Sequence, residues 1–220
     1  RDFIRETLGR YVSPGVAKAI LAGGVPLGGE RRHVTILMSD IRDFTAFAEK
    51  IPPEGVVVLL NLYLKEMVEV ILKHEGTLDK FIGDASLAVF GAPLAHSDDP
   101  LRAVRTAWGM REQLQRLNRE AAAAGLPPVQ MGIALNTGDV VAGNIGSEKR
   151  TEYTVIGDTV NLTSRIEALN KEFGTEILLS EATYGAVRDW VDVRAMPPVH
   201  VKGKAEEIRV YELLGVRSSP

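Results

Sequence analysis

Thr77-Leu78-Asp79-Lys80-Phe81-Ile82-Gly83-Asp84-Ala85-Ser86-Leu87-Ala88-Val89-Phe90 reads as two short strands joined by Gly83-Asp84. Glycine at the first turn position suits a two-residue type II′ turn, whose twist matches that of paired antiparallel strands. Upstream, Val34-Thr35-Ile36-Leu37-Met38-Ser39-Asp40-Ile41 reads as a further strand, from about Arg32 to Ser39, that runs into an aspartate. If strand and hairpin are sheet neighbours, Asp40 and Asp84 meet at one sheet end, because adjacent strands lie about 4.8 Å apart. Magnesium takes a few carboxylate oxygens plus substrate phosphates at about 2.0–2.1 Å, and two such ions about 3.5–4 Å apart suit in-line phosphoryl displacement. Nucleotide chemistry is therefore the first functional expectation. Singly, each aspartate also has a plain reading, as a turn or helix-capping residue.

The flanking sequence alternates helix and strand patterns. Residues 3–22 read as short helices broken at Ser13-Pro14-Gly15, and Gly23 to Gly29 as a flexible joint. Pro52-Pro53-Glu54 opens a long amphipathic helix to about His74, with Val57, Leu60, Leu64, Val68 and Ile71 on one side. A second long helix runs from about Pro100 to Ala124 and stops at Gly125-Leu126-Pro127-Pro128. Strands are expected at Val129 to Asn136 and Asp139 to Asn144, turning at Thr137-Gly138, and another near Tyr153 to Ile156. Asp158 reads as the cap of a helix from Thr159 to about Lys171. The tail holds expected strands near Ile177 to Leu179, Val199 to Lys202 and Ile208 to Leu214, and a helix near Glu181 to Val187. Because several strand pairs are hairpins, an antiparallel or mixed sheet is favoured over a doubly wound parallel one.

The 220 residues are 45% hydrophobic and 25% charged, as expected of one globular core with a short appendage. A net charge of -3 supplies no basic field, so no nucleic-acid partner is expected. The absence of cysteine removes disulfides, thiolate catalysis and sulfur-ligated metals. No apolar stretch reaches the roughly 20 residues of a membrane helix. The start at Arg1 without a leader suggests a fragment of a longer protein, so a cytoplasmic domain is expected, with an upstream membrane anchor left open.

Tyr153-Thr154-Val155-Ile156-Gly157-Asp158-Thr159-Val160-Asn161-Leu162-Thr163-Ser164-Arg165 adds a polar stripe: Asn161 and Arg165, four apart, share a helix face and project into one pocket. A structural alternative pairs Arg165 with Glu167 or Asp158 and leaves Asn161 as a cap. Trp108 and Trp190 read as packing residues. The four histidines show no ligand spacing, and the arginines from Arg102 to Arg119 read as a solvated helix face.

With Ser39-Asp40-Ile41-Arg42-Asp43-Phe44-Thr45, Lys80-Phe81-Ile82-Gly83-Asp84, Val141-Ala142-Gly143-Asn144-Ile145-Gly146, Tyr153 through Arg165, and Val201-Lys202-Gly203-Lys204 in this order, the chain resembles the class III nucleotidyl cyclase catalytic domain. The resemblance implies an α+β fold with a ferredoxin-like antiparallel or mixed sheet core flanked by helices. It also implies a head-to-tail homodimer with active sites at the interface. Residues 1–29 are then a helical linker, 30–216 the catalytic domain and 217–220 a tail, with a sensor domain upstream. Asp40, Asp84 and the Ile41 carbonyl look like ligands of two magnesium ions, with manganese as a substitute. Arg165 and Asn161 look like the residues that stabilise the α-phosphoryl charge and place the ribose, and Lys202 like the phosphate lysine, with Lys204 and Arg150 as helpers. The Phe44 and Thr45 amides resemble phosphate donors. Lys80 and Thr154 match the purine-choosing positions: an ammonium donates to adenine N1 and a threonine oxygen accepts from the 6-amino group, whereas guanine reverses both edges. ATP is the expected substrate, with guanylyl cyclase or a silent nucleotide-binding module as alternatives. Thr154 also resembles the branch that includes bicarbonate-responsive cyclases, which makes bicarbonate an expected activator.

Overall fold

The computed structural model describes residues 16–18, 28–147 and 150–219. Within the predicted N-terminal helices only 16–18 are described, as helix with Val16 and Ala17 buried; the rest of that segment and most of the glycine joint lie outside the described residues. Strand β1 (Gly28–Ile41) is longer than expected at both ends and takes in Gly28 and Gly29 of that joint. Its apolar run is nearly continuous because it is covered on both faces. Leu37 and Ile41 join a core with the helices on one side, while Val34, Ile36 and Met38 join a second core on the other.

A short helix α1 (Phe44–Ala48) follows, then α2 (Pro53–Lys73), with Pro53 in the first turn where its missing N–H costs nothing. The buried stripe of α2 is Tyr63, Met67 and Ile71, and Val57 is 57% exposed, so the predicted face is rotated at its N-terminal end. Val56-Val57-Val58-Leu59-Leu60 is apolar on every side, so periodicity alone could not orient it. Strands β2 (Thr77–Ile82) and β3 (Ala85–Phe90) form the predicted hairpin; Gly83 has φ 65°, and Asp84 stays at negative φ, as a type II′ turn requires. Helix α3 (Asp99–Ala123) packs beside α2 on the sheet.

Strand β4 (Met131–Ser147) corrects the predicted pair of strands. It does not turn at Thr137-Gly138 but pairs antiparallel with β1 throughout, Gly138 opposite Val34. The glycine marks a close approach instead: a Cβ there would lie 2.7 Å from Thr159 Oγ1, whose hydroxyl donates to the Asp139 carbonyl at 2.7 Å. The far half of β4 turns into β5 (Arg150–Ile156), and its near half pairs in parallel with β6 (Ile177–Ser180).

Helix α4 (Asp158–Phe173) lies on the face opposite α2 and α3 and buries Ile166 and Leu169. Gly157, at φ 147°, precedes its first turn as N-cap, so Asp158 is not the predicted cap; its carboxylate meets Lys204 Nζ at 2.5 Å. Helix α5 (Glu181–Val187) matches the expected bounds, capped by Ser180 Oγ accepting from the Thr183 amide. Strand β7 (Val191–Ala195) was not anticipated, and β8 (Val210–Val216) starts two residues after the predicted strand. Val199 to Lys202 is reduced to a single bridge, Val199 with Ile208. The sheet order is β2-β3-β1-β4-β6-β8-β7 with β5 on β4, and every pairing but β4–β6 is antiparallel. The β1-α-β2-β3-α-β4 part is the expected ferredoxin-like core in a mixed α+β fold.

Candidate active site

Register brings the two predicted acids together. β1 and β3 are neighbours with Ser39 opposite Ser86, their hydroxyls 2.5 Å apart. Asp40 is one residue beyond Ser39 and Asp84 two before Ser86, so both carboxylates stand at the same sheet end. They line a 440 Å³ cavity together with Ile41, Phe44, Thr45 and Lys171. The Asp40 carboxyl is pushed up to about 7, first by burial, then by a hydrogen bond with Asp84 and by the charges of Asp84 and Glu167, against the Ile41 amide. Beneath the pair, burial also drives the Tyr63 phenol well above its usual range; its hydroxyl donates to Met131 Sδ at 3.3 Å.

Two carboxylates held this close repel each other, and a divalent cation between them and a phosphate relieves both that repulsion and the cost of burial. The residues therefore fit such an ion. Among the described residues there is no cluster of three or more histidine, cysteine or acidic side chains with metal-binding geometry. A two-carboxylate site completed by phosphate oxygens is the magnesium type rather than the zinc type.

None of Lys80, Thr154, Asn161, Arg165 or Lys202 lines that cavity. Lys80 on β2 and Thr154 on β5 converge on Asp79: the Thr154 hydroxyl donates to Asp79 Oδ2 at 2.7 Å, and Lys80 Nζ lies 4.0 Å from Asp79 Oδ1 and 3.7 Å from Glu152 Oε2. Asn161 and Arg165 are one turn apart on α4, and the Arg165 guanidinium lies against Gly203, 3.2 Å from where a Cβ would stand. Gly203 has φ 84°, so a glycine suits this place in the loop on both counts. Among the described residues Arg165 forms no ion pair; the alternative partners are otherwise engaged, Asp158 with Lys204 and Glu167 facing Arg42. Lys202 is exposed beside this loop, and Arg150 reaches Glu152 at 3.5 Å.

Sequence reasoning missed Asp79 and Lys171 and gave Glu167 only as an alternative partner of Arg165. A β-bulge between Leu78 and Lys80 breaks the alternation that would have set Asp79 and Lys80 on opposite faces, and no local signal announces it. Glu167 and Lys171 are one helical turn apart on α4 and reach the cavity end through the packing of that helix on β4 and β1. Trp108 and Trp190 are packing residues, as expected, but Arg111 and Arg105 lie over their rings at 4.9 and 5.4 Å, so these arginines are more than a solvated face. A larger apolar cavity of 580 Å³ between α2 and α3 contains none of the predicted site residues.

Residues 29–215 match the family described as adenylate and guanylate cyclase catalytic domain. Over 186 residues the chain is 37% identical to adenylate cyclase 1 of Rhizobium meliloti (strain 1021), covering 84% of this chain and 28% of that protein. It is 36% identical over 187 residues to the terminal-differentiation-specific adenylate cyclase of Dictyostelium discoideum, covering 83% of this chain and 9% of that one. The chain thus spans less than a third of the length of either relative. Among solved structures, the guanylyl cyclase Cya2 superposes with a TM-score of 0.81 at 45% identity, covering 87% of this chain and 96% of that one. The adenylyl cyclase CyaB from P. aeruginosa superposes with a TM-score of 0.81 at 34% identity, covering 88% and 100%.

Proposed function

The chain belongs to the adenylate and guanylate cyclase catalytic-domain family, and from that premise we propose that it converts ATP to 3′,5′-cyclic AMP and pyrophosphate at sites shared by two copies of the chain. In this reaction the ribose 3′-oxygen bonds to the α-phosphorus, the bond to the β-phosphate's bridging oxygen breaks, and the hydroxyl proton passes to water. Catalytic domains of this family use divalent metal ions. Two magnesium ions, or manganese in their place, held by Asp40, Asp84 and the Ile41 carbonyl, would supply the positive charge that acidifies the 3′-hydroxyl and offsets charge on the triphosphate.

The protein's own groups do the rest. Arg165, which forms no ion pair among the described residues, grips the α-phosphoryl oxygens through its planar guanidinium as their charge grows, and Asn161 on the same helix face holds the ribose. Lys202 holds the terminal phosphates, and the Phe44 and Thr45 amides donate at the cavity wall. Lys80 donates to adenine N1, and Thr154 accepts from the 6-amino group.

The observation that carries this reading is the separation of the site residues into an acidic cavity and a distinct set on β2, β5 and α4. A head-to-tail homodimer would bring one chain's acids to the other chain's Lys80, Thr154, Asn161, Arg165 and Lys202. Purified chain should form cyclic AMP from ATP, and Asp40→Ala and Arg165→Ala should each lose about 10²–10³ in kcat. Mixed, these two variants should recover up to about a quarter of wild-type rate, since half the dimers are mixed and each holds one complete site. No recovery in verified mixed dimers would reject the shared site, and nucleotide binding with no cyclic product would support the silent module.

Guanylyl cyclase is the second reading, favoured by the 45% identity to Cya2 and opposed by Lys80; ATP and GTP turnover compared side by side separates the two. ATP as substrate implies a cytoplasmic domain, the output part of a larger signalling protein with residues 1–29 as linker. Bicarbonate activation rests on Thr154 alone: ATP turnover should rise with bicarbonate at constant pH and ionic strength, and a flat response removes it.

A further inference from the structure

A threonine hydroxyl carries one proton and two lone pairs, and it rotates to suit its neighbour. Facing adenine it can accept from the 6-amino group; facing guanine it can swing round and donate to the 6-oxygen. Thr154 by itself therefore discriminates poorly between the purines. What removes its freedom is a carboxylate: the Thr154 hydroxyl donates to Asp79 Oδ2 at 2.7 Å, and an ionised carboxylate can only accept. With its proton committed there, Thr154 offers only lone pairs to anything else.

Asp79 is built to hold this role. The bulge between Leu78 and Lys80 turns it out of the normal alternation and toward β5, and its side chain is only 3% exposed. Three donors face it, the Thr154 hydroxyl, the Val155 amide and the Lys80 ammonium, and the Glu152 charge opposes them. Asp79 lines no part of the Asp40–Asp84 cavity and stands instead with Thr154 and Lys80.

We propose that Asp79 is a positioning residue that sets purine choice, fixing Thr154 as an acceptor and holding Lys80 beside it so that the pair reads the adenine edge and rejects guanine. This rests on the reading of Lys80 and Thr154 as the purine subsite. Asp79→Leu frees the hydroxyl rotor, and Asp79→Asn, with its amide nitrogen turned to Thr154, points the hydroxyl proton at the purine.

In both variants the ratio of kcat/KM for ATP to that for GTP should fall at least about tenfold. The change should lie mostly in KM, and dissociation constants for 3′-deoxy-ATP and 3′-deoxy-GTP, which bind but cannot cyclise, should move the same way. On a Thr154→Val background Asp79→Leu should lower the ratio less than it does in the wild-type chain, because only its hold on Lys80 is then left to lose. Equal losses for both nucleotides, in variants whose thermal unfolding remains cooperative, overturn the inference. A wild-type chain that prefers GTP overturns the adenine reading beneath it, whereas one that prefers ATP with a ratio unmoved by either variant overturns the role of Asp79 alone.

Discussion

Asp79 carries a stability cost that follows from its position. Burial raises its carboxyl above the usual carboxylate range, and the Thr154 hydroxyl, Lys80 and the Val155 amide only partly oppose this, with Glu152 adding to it. An acid whose folded-state pKa exceeds its unfolded value binds its proton more readily in the fold. Stability is therefore lost as pH rises from about 4, the unfolded value, through the higher folded one, and the penalty is fully present above the folded value. Asp79→Asn should then unfold at a higher temperature than wild type at pH 7, with the gap closing as pH falls toward 4; thermal melts across that range check it. A variant less stable than wild type at pH 7 would show that the donors around Asp79 outweigh its desolvation. The aspartate itself was plain in the sequence, yet its role was not, because a bulge is a tertiary adjustment that leaves no mark on the residue types.

At the scale of elements, most helices were legible because caps and breakers are local. Pro53 opens α2, and Gly125 at φ 75° closes α3. The orientation of α2 was not, since its first turns are apolar all round and only the cores of β1 and α3 decide which stripe is buried. Met67→Ala, at a fully buried position, should cost about 2–5 kcal/mol, whereas Val57→Ala, 57% exposed, should stay within about 0.5 kcal/mol of wild type. Urea denaturation of the two variants measures the difference, and comparable costs would contradict the buried stripe. The misread turn at Thr137-Gly138 has a similar origin: glycine there serves the approach of Thr159 and α4, and a glycine needed for space looks in sequence like a glycine needed for a turn.

At the scale of the whole molecule, the hairpin turn, the aspartate-ended strand and the Asn161–Arg165 stripe were determined by the sequence itself, because each depends on residues within one element. So was the antiparallel pairing of β2 with β3, which their hairpin imposes. Only the tertiary structure decided that β1 lies between β3 and β4, and this places Asp40 and Asp84 at one sheet end. It also decided that Glu167 faces their charges from α4 and that Lys80 and Thr154 share Asp79. Strand order and helix packing are settled by apolar faces distant in the chain finding each other, and contacts between distant segments are what local residue patterns do not encode.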